Sequence, residues 1–102
     1  MAQFSYKLTT ESELFTFDFT PVLQPTETLT SATCTAITVQ GTDPAPSAIL
    51  SGTPNFASGL ASQRVIGGLA DNTYRLIMTC ATNEGNIYTV TGDIPVYDPS
   101  EM

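Results

Sequence analysis

The stretch Val65-Ile66-Gly67-Gly68-Leu69-Ala70-Asp71-Asn72-Thr73-Tyr74-Arg75-Leu76-Ile77-Met78-Thr79-Cys80-Ala81-Thr82 constrains the fold more than any other part of the chain, because it reads as strand, corner and strand. Gly67 and Gly68 tolerate backbone angles closed to residues that carry a Cβ, and Asp71-Asn72 supplies turn chemistry. Beyond the corner, Tyr74, Leu76, Met78 and Cys80 share one face at period two, which predicts a strand with that face in the core. Tyr74 reads as a tyrosine corner, its ring buried and its hydroxyl bonded back to the preceding turn. It stands six residues before Cys80, not the two of an antibody domain, so the expectation is an immunoglobulin-like or fibronectin-III-like sandwich outside the antibody family proper.

The rest of the chain carries the same period. Phe15, Phe17 and Phe19 alternate with Thr16 and Asp18, the clearest inward and outward pattern present. Residues Phe4 to Thr10 predict a short edge strand with Phe4, Tyr6 and Leu8 on one face and Ser5, Lys7 and Thr9 on the other. Thr28 to Gln40 predicts a strand whose parity changes, Ala32, Cys34 and Ala36 against Ile37 and Val39, which implies either a bulge near Ala36 and Ile37 or a strand buried on both sides; the bulge is the preferred expectation. Gly41 to Ser47 reads as a proline-stiffened connection, and Ala48 to Phe56 as a short strand with Phe56 plugging the end of the core. Leu60 to Ile66 leads into the corner, and Asn83-Glu84-Gly85-Asn86 forms a hairpin turn. Tyr88, Val90, Gly92, Ile94 and Val96 then line the inner face of a last strand whose Pro95 belongs near an end or an edge. The fold class that follows is all-β: one sandwich of about seven antiparallel strands over residues 13–96, with a possible edge strand in residues 1–12 and a flexible tail over 97–102.

Charge limits the function. Three basic residues (Lys7, Arg64, Arg75) face ten acidic ones, and a net charge of −7 without histidine argues against a nucleic-acid surface. No segment has the length of a membrane span, and the N-terminus lacks the pattern of a signal peptide, so synthesis and folding in a cytoplasm are expected. Cys34 and Cys80 lack the spacing of a zinc site; strands that pair or face each other would allow a bridge between them, but free buried thiols are the preferred expectation. With no histidine to serve as base, neither cysteine nor serine nucleophiles can be activated in the usual way. Acidic pairs such as Glu11 and Glu13 read as solvated surface charge. No catalytic, metal or cofactor residue is assigned, and the chain is not expected to be an enzyme.

Several segments together carry a resemblance. Glu13-Leu14-Phe15-Thr16-Phe17-Asp18-Phe19, Glu27-Thr28-Leu29-Thr30-Ser31-Ala32, Pro46-Ser47-Ala48-Ile49-Leu50-Ser51-Gly52, Gln63-Arg64-Val65-Ile66-Gly67-Gly68-Leu69-Ala70 with Tyr74-Arg75-Leu76, and Ala81-Thr82-Asn83-Glu84-Gly85 make the chain resemble the small Ig-like fibre–tail adaptors of tailed bacteriophages. The resemblance spans residues 13 to 96 and leaves Phe4 to Thr10 outside it. It implies a non-enzymatic virion protein of the tail or neck, made in the host cytoplasm. In multiple copies per virion, such a protein joins fibres or tailspikes to the tail or neck ring. A capsid decoration or cement protein, and a carbohydrate-binding or adhesion module, are the alternatives. Gly67, Gly68, Tyr74, Cys34 and Cys80 are expected to be structural. Phe4 and Tyr6, the loop residues Asp43, Pro44 and Pro46, and Tyr97 are the candidates for partner contact, by strand addition or loop docking.

Overall fold

The computed structural model describes residues 2–3 and 6–101. Alternating side chains resolve into β1 (Ala2–Gln3), β2 (Lys7–Leu8), β3 (Ser12–Asp18), β4 (Leu29–Gln40), β5 (Leu50–Ala57), β6 (Leu60–Ile66), β7 (Asn72–Thr82) and β8 (Ile87–Tyr97). One sheet joins β4, β7 and β8, with β1 and β2 both along the far side of β8; the other runs β3, β6, β5. With β1 and β2 counted as one interrupted strand, this is a seven-stranded sandwich of four strands on three, the N-terminal strand belonging to the β4–β7–β8 sheet. Its core is the expected one. Phe15, Phe17 and Phe19 from the smaller sheet meet Tyr74, Leu76, Met78, Cys80, Ile94 and Val96 from the larger, all buried. Each large apolar side chain so placed contributes about 1.5–3 kcal/mol.

The N-terminal segment departs from expectation in direction. It pairs parallel to β8, Ala2 opposite Gly92 and Lys7 opposite Val96, whereas alternation alone had implied a uniformly antiparallel sandwich. Lys7 is completely buried and Tyr6 is 47% exposed, so the face that carries Lys7 is the one turned inward. The reason is the register with β8: Lys7 lies beside inward-facing Val96, and its ammonium donates to the carbonyls of Gly67 (2.6 Å) and Leu8 (2.8 Å). Burial pushes the Lys7 pKa down, and the nearby Glu11 and Glu13 carboxylates oppose that shift. Pro95, which has no N–H, falls in the interval between the β1 and β2 pairings. Phe4 lies outside the described residues.

Two strands correct the reading of their parity. Along β4 no bulge occurs at Ala36 and Ile37; the pairing with β7 is regular from Ser31 to Thr38 and shifts only near the two ends. Ile37 and Val39 keep the outward phase and are 43% and 40% exposed; hydrophobicity at these positions does not report burial. In β5, opposite β6, the register shifts between Ser51 and Asn55. The side-chain amide of Gln63, itself buried, donates to the carbonyls of Ser51, Gly52 and Arg64 there, which satisfies groups that a disrupted ladder leaves open. Phe56 is 39% exposed and does not plug the core. Pro46–Ile49 forms a 3-10 turn before β5.

The corner glycines are not equivalent. Gly67 has φ +59° with nothing near a prospective Cβ, whereas Gly68 has φ +97° and a Cβ there would lie 3.3 Å from the Val96 methyls and 3.4 Å from the Tyr74 ring. A left-handed residue with a Cβ costs about 1–2 kcal/mol from backbone alone. We therefore expect Gly67→Ala to destabilise by about 1 kcal/mol and Gly68→Ala by at least about twice that, as measured by denaturant unfolding. Equal losses would contradict the packing assigned to Gly68.

Candidate functional site

The longer strands run between two ends of a body 47 × 24 × 23 Å, so the loops gather into two clusters. At one end lie the Gly67-Gly68 corner, the 41–49 loop, the turn after β2 and the end of β8. The Tyr74 side chain, completely buried, organises them. Its hydroxyl accepts from the Leu69 N–H (2.9 Å) and donates to Asp43 Oδ2 (2.7 Å). Burial, and then the bond to Asp43, push the phenol pKa up. Asp43 Oδ1 also accepts from the Ala45 N–H at 2.9 Å, so one carboxylate folds its own loop and ties that loop to the corner. Asn72 Nδ2 donates to the Thr42 carbonyl at 3.0 Å, and Asp71 N–H donates to the Val96 carbonyl at 2.8 Å.

The sequence candidates mostly meet at this end. The rings of Tyr6 and Tyr97 pack with centroids 6.0 Å apart and planes tilted by 60°, a favourable aromatic geometry. Both rings remain partly open to solvent, as do Ile66 and Leu69 beside the corner. Pro44 is exposed, and Pro46 opens the 3-10 turn. Asp43 is engaged internally, as described. Tyr97 is the last residue of β8, and the following Pro99–Glu101 is a 3-10 turn. Lys7 completes this end; its place there follows from register with β8, for which the local sequence gives no signal.

Cys34 and Cys80 sit apart from this cluster, on the inner faces of β4 and β7. Both are free. Their cross-strand partners are Met78 and Ala32 respectively, which makes the two cysteines diagonal neighbours, a placement of about 7–8 Å that exceeds disulfide reach. Burial raises the Cys34 thiol to about 11 and pushes Cys80 up as well, away from the thiolate that nucleophilic chemistry requires. Among the described residues no group of acids and cysteines is arranged to hold a metal ion.

The opposite end carries a feature with no warning in the sequence. A cleft of about 360 Å³ opens between the 20–28 loop and the 56–59 turn, with Leu23, Pro25, Leu29 and Phe56 among its lining residues. Buried Glu27 builds its wall. One carboxylate oxygen accepts from the Gln24 N–H (3.0 Å), the other from the Thr82 hydroxyl (2.6 Å) and Asn86 Nδ2 (2.8 Å). The bond from Thr82, with those from Gln24 and Asn86, holds the Glu27 carboxyl below its ordinary range. The loop is thereby tied to the β7–β8 hairpin 55 and more residues away.

One protein family, described as podophage GP4 fiber-tail adaptor protein gp77, matches the chain over residues 7–95. The match takes in β2, and so reaches further toward the N-terminus than the sequence resemblance did, and it spans both ends of the sandwich. No curated protein matches the chain.

Two measurements test the residues that shape the ends. Tyr74→Phe removes both hydroxyl bonds, one of them to a carboxylate, and is expected to cost about 2 kcal/mol in denaturant unfolding; a change within about 0.5 kcal/mol, the scale of an ordinary surface substitution, would contradict the assigned geometry. For Glu27 the folded-state pKa lies below the unfolded value. Its contribution is therefore present above the ordinary glutamate range and is lost as pH falls through the folded value. Glu27→Gln should lower the thermal midpoint at neutral pH and lessen its fall on acidification; parallel acid profiles for the two proteins would contradict this.

Proposed function

The chain belongs to the podophage GP4 fibre-tail adaptor family described by gp77, and from that premise we propose that it is a non-enzymatic virion protein joining tail fibres or tailspikes to the tail or neck. It acts through protein–protein contacts and is present in several copies per particle. The observation that carries this reading is the two-ended architecture. A connector needs two separate surfaces held at fixed distance. Here strands of 11 and 12 residues run between an end with the exposed apolar set Tyr6, Tyr97, Ile66 and Leu69 and an end with the apolar cleft around Phe56.

The two surfaces suit different partners. Among the described residues at this end, Glu11 and Glu13 lie near Lys7, which is itself withdrawn into the interior, and Asp71 and Asp98 add further acidic groups. That surface favours a partner with basic groups around an apolar pocket. The cleft at the other end accepts an inserted apolar side chain of the second partner.

Particles made without this chain should carry filled heads and lack fibres, and a tagged chain that restores the fibres should appear at the tail or neck by electron microscopy. Absence of the chain from purified particles, or its distribution over the capsid, would overturn the reading.

A further inference from the structure

Of the thirteen charged side chains, only Asp43 lies between residues 28 and 63, and its carboxylate is taken up by Tyr74 and Ala45. That span contains β4 and β5 entire. The two edge strands on one flank of a protein with net charge −7 therefore carry no ionised side chain, Arg75 and Arg64 lying one strand further in, opposite Ile37 and Ser51; the strand that ends the larger sheet on that flank is β4.

The other margins carry features that discourage pairing. The outer side of β8 is covered by β1 and β2. Strand β3 bears Glu13 and Asp18, with Glu11 just before it. Strand β5 has Gly52, Pro54 and a register shift. By contrast β4 has neither charge nor proline, and from Ser31 to Thr38 its ladder is regular. Its outward row Thr33, Thr35 and Ile37 is exposed and β-branched, the composition that packs best across a strand pair.

We propose that β4 is the seam between copies of this chain, pairing antiparallel with β4 of a second copy about a two-fold axis near Thr35. Charge selects the occupant. Two copies at −7 repel wherever their acids face each other. Two of the three cations cannot bridge copies, since Lys7 is buried on backbone carbonyls and Arg75 is paired with Asp93 at 2.8 Å. The uncharged β4 edge is the place where like copies approach with the least of that repulsion. An antiparallel strand centred on Thr35 is self-complementary: with Thr35 on the axis, Thr33 of one copy meets Ile37 of the other on the same face, and Cys34 meets Ala36 on the opposite face. The role of this contact within a particle rests on the adaptor reading; the association itself does not.

Sedimentation velocity of the purified chain tests the proposal. The wild-type chain should form dimers, and added salt should tighten them, because screening weakens the repulsion between acidic copies and the seam contains no ion pair to lose. Thr35→Glu and Thr35→Lys should each raise the dimer Kd at least about tenfold, since either buries a charge at the seam. Leu14→Glu adds the same charge to the other sheet and should leave Kd within about twofold at physiological salt, where charges beyond a Debye length are screened. A monomeric wild-type chain, dimers that loosen with salt, or Thr35→Lys strengthening association would overturn the proposal. So would a monomeric chain whose Thr35 variants are lost from particles, since β4 would then serve a fibre or tail protein. The salt dependence decides the matter even if a variant fails to fold. Location of the chain in virions tests the adaptor reading separately, and either can fail alone.

Discussion

The Tyr74 hydroxyl is the group on which the corner end depends. A phenol this deeply placed must satisfy both its donor and its acceptor, and it does so with partners from different parts of the chain, the Leu69 N–H and the Asp43 carboxylate. The first closes the corner; the second draws in a loop 31 residues away in sequence. Gly68 leaves room for the ring and for Val96, and the Gly67 carbonyl then receives the Lys7 ammonium. The N-terminal strand, the 41–49 loop and the end of β8 are thus fixed to one hub, and the exposed Tyr6 and Tyr97 rings are positioned by it.

Elsewhere the same economy of buried polar groups recurs. Gln63 supplies donors where β5 leaves its ladder, and Glu27 ties a loop to the distant β7–β8 hairpin. Each lies where a strand pattern breaks, so the irregular parts of the sandwich are held by side-chain amides and carboxylates in place of the missing backbone pairs. The ends can therefore present shaped surfaces without becoming loose. The absence of charge along β4 and β5 is a separate property, set by sequence composition.

Much of the fold was legible because period two maps directly onto the two faces of a strand. The triad Phe15, Phe17, Phe19 and the row Tyr74 to Cys80 are placed as alternation requires. The pattern failed where hydrophobicity and direction part company. Ile37 and Val39 are apolar and outward, and Lys7 is charged and inward, because register with β7 and β8 decided the face in each case. The corner bond of Tyr74 was legible from its turn; its bond to Asp43 was not, since nothing local links residues so far apart. The cleft beside Phe56 gave no signal at all, being made by loops whose course depends on Glu27 and its distant partners.

A double-mutant cycle between Tyr74→Phe and Asp43→Ala, read by denaturant unfolding, tests the hub most directly. A direct hydroxyl–carboxylate bond in the interior predicts a favourable coupling energy of about 1 kcal/mol or more, with the double variant little less stable than the worse single one. Additivity within about 0.3 kcal/mol would mean that the two residues act independently, and the corner would not be what holds this end of the molecule together.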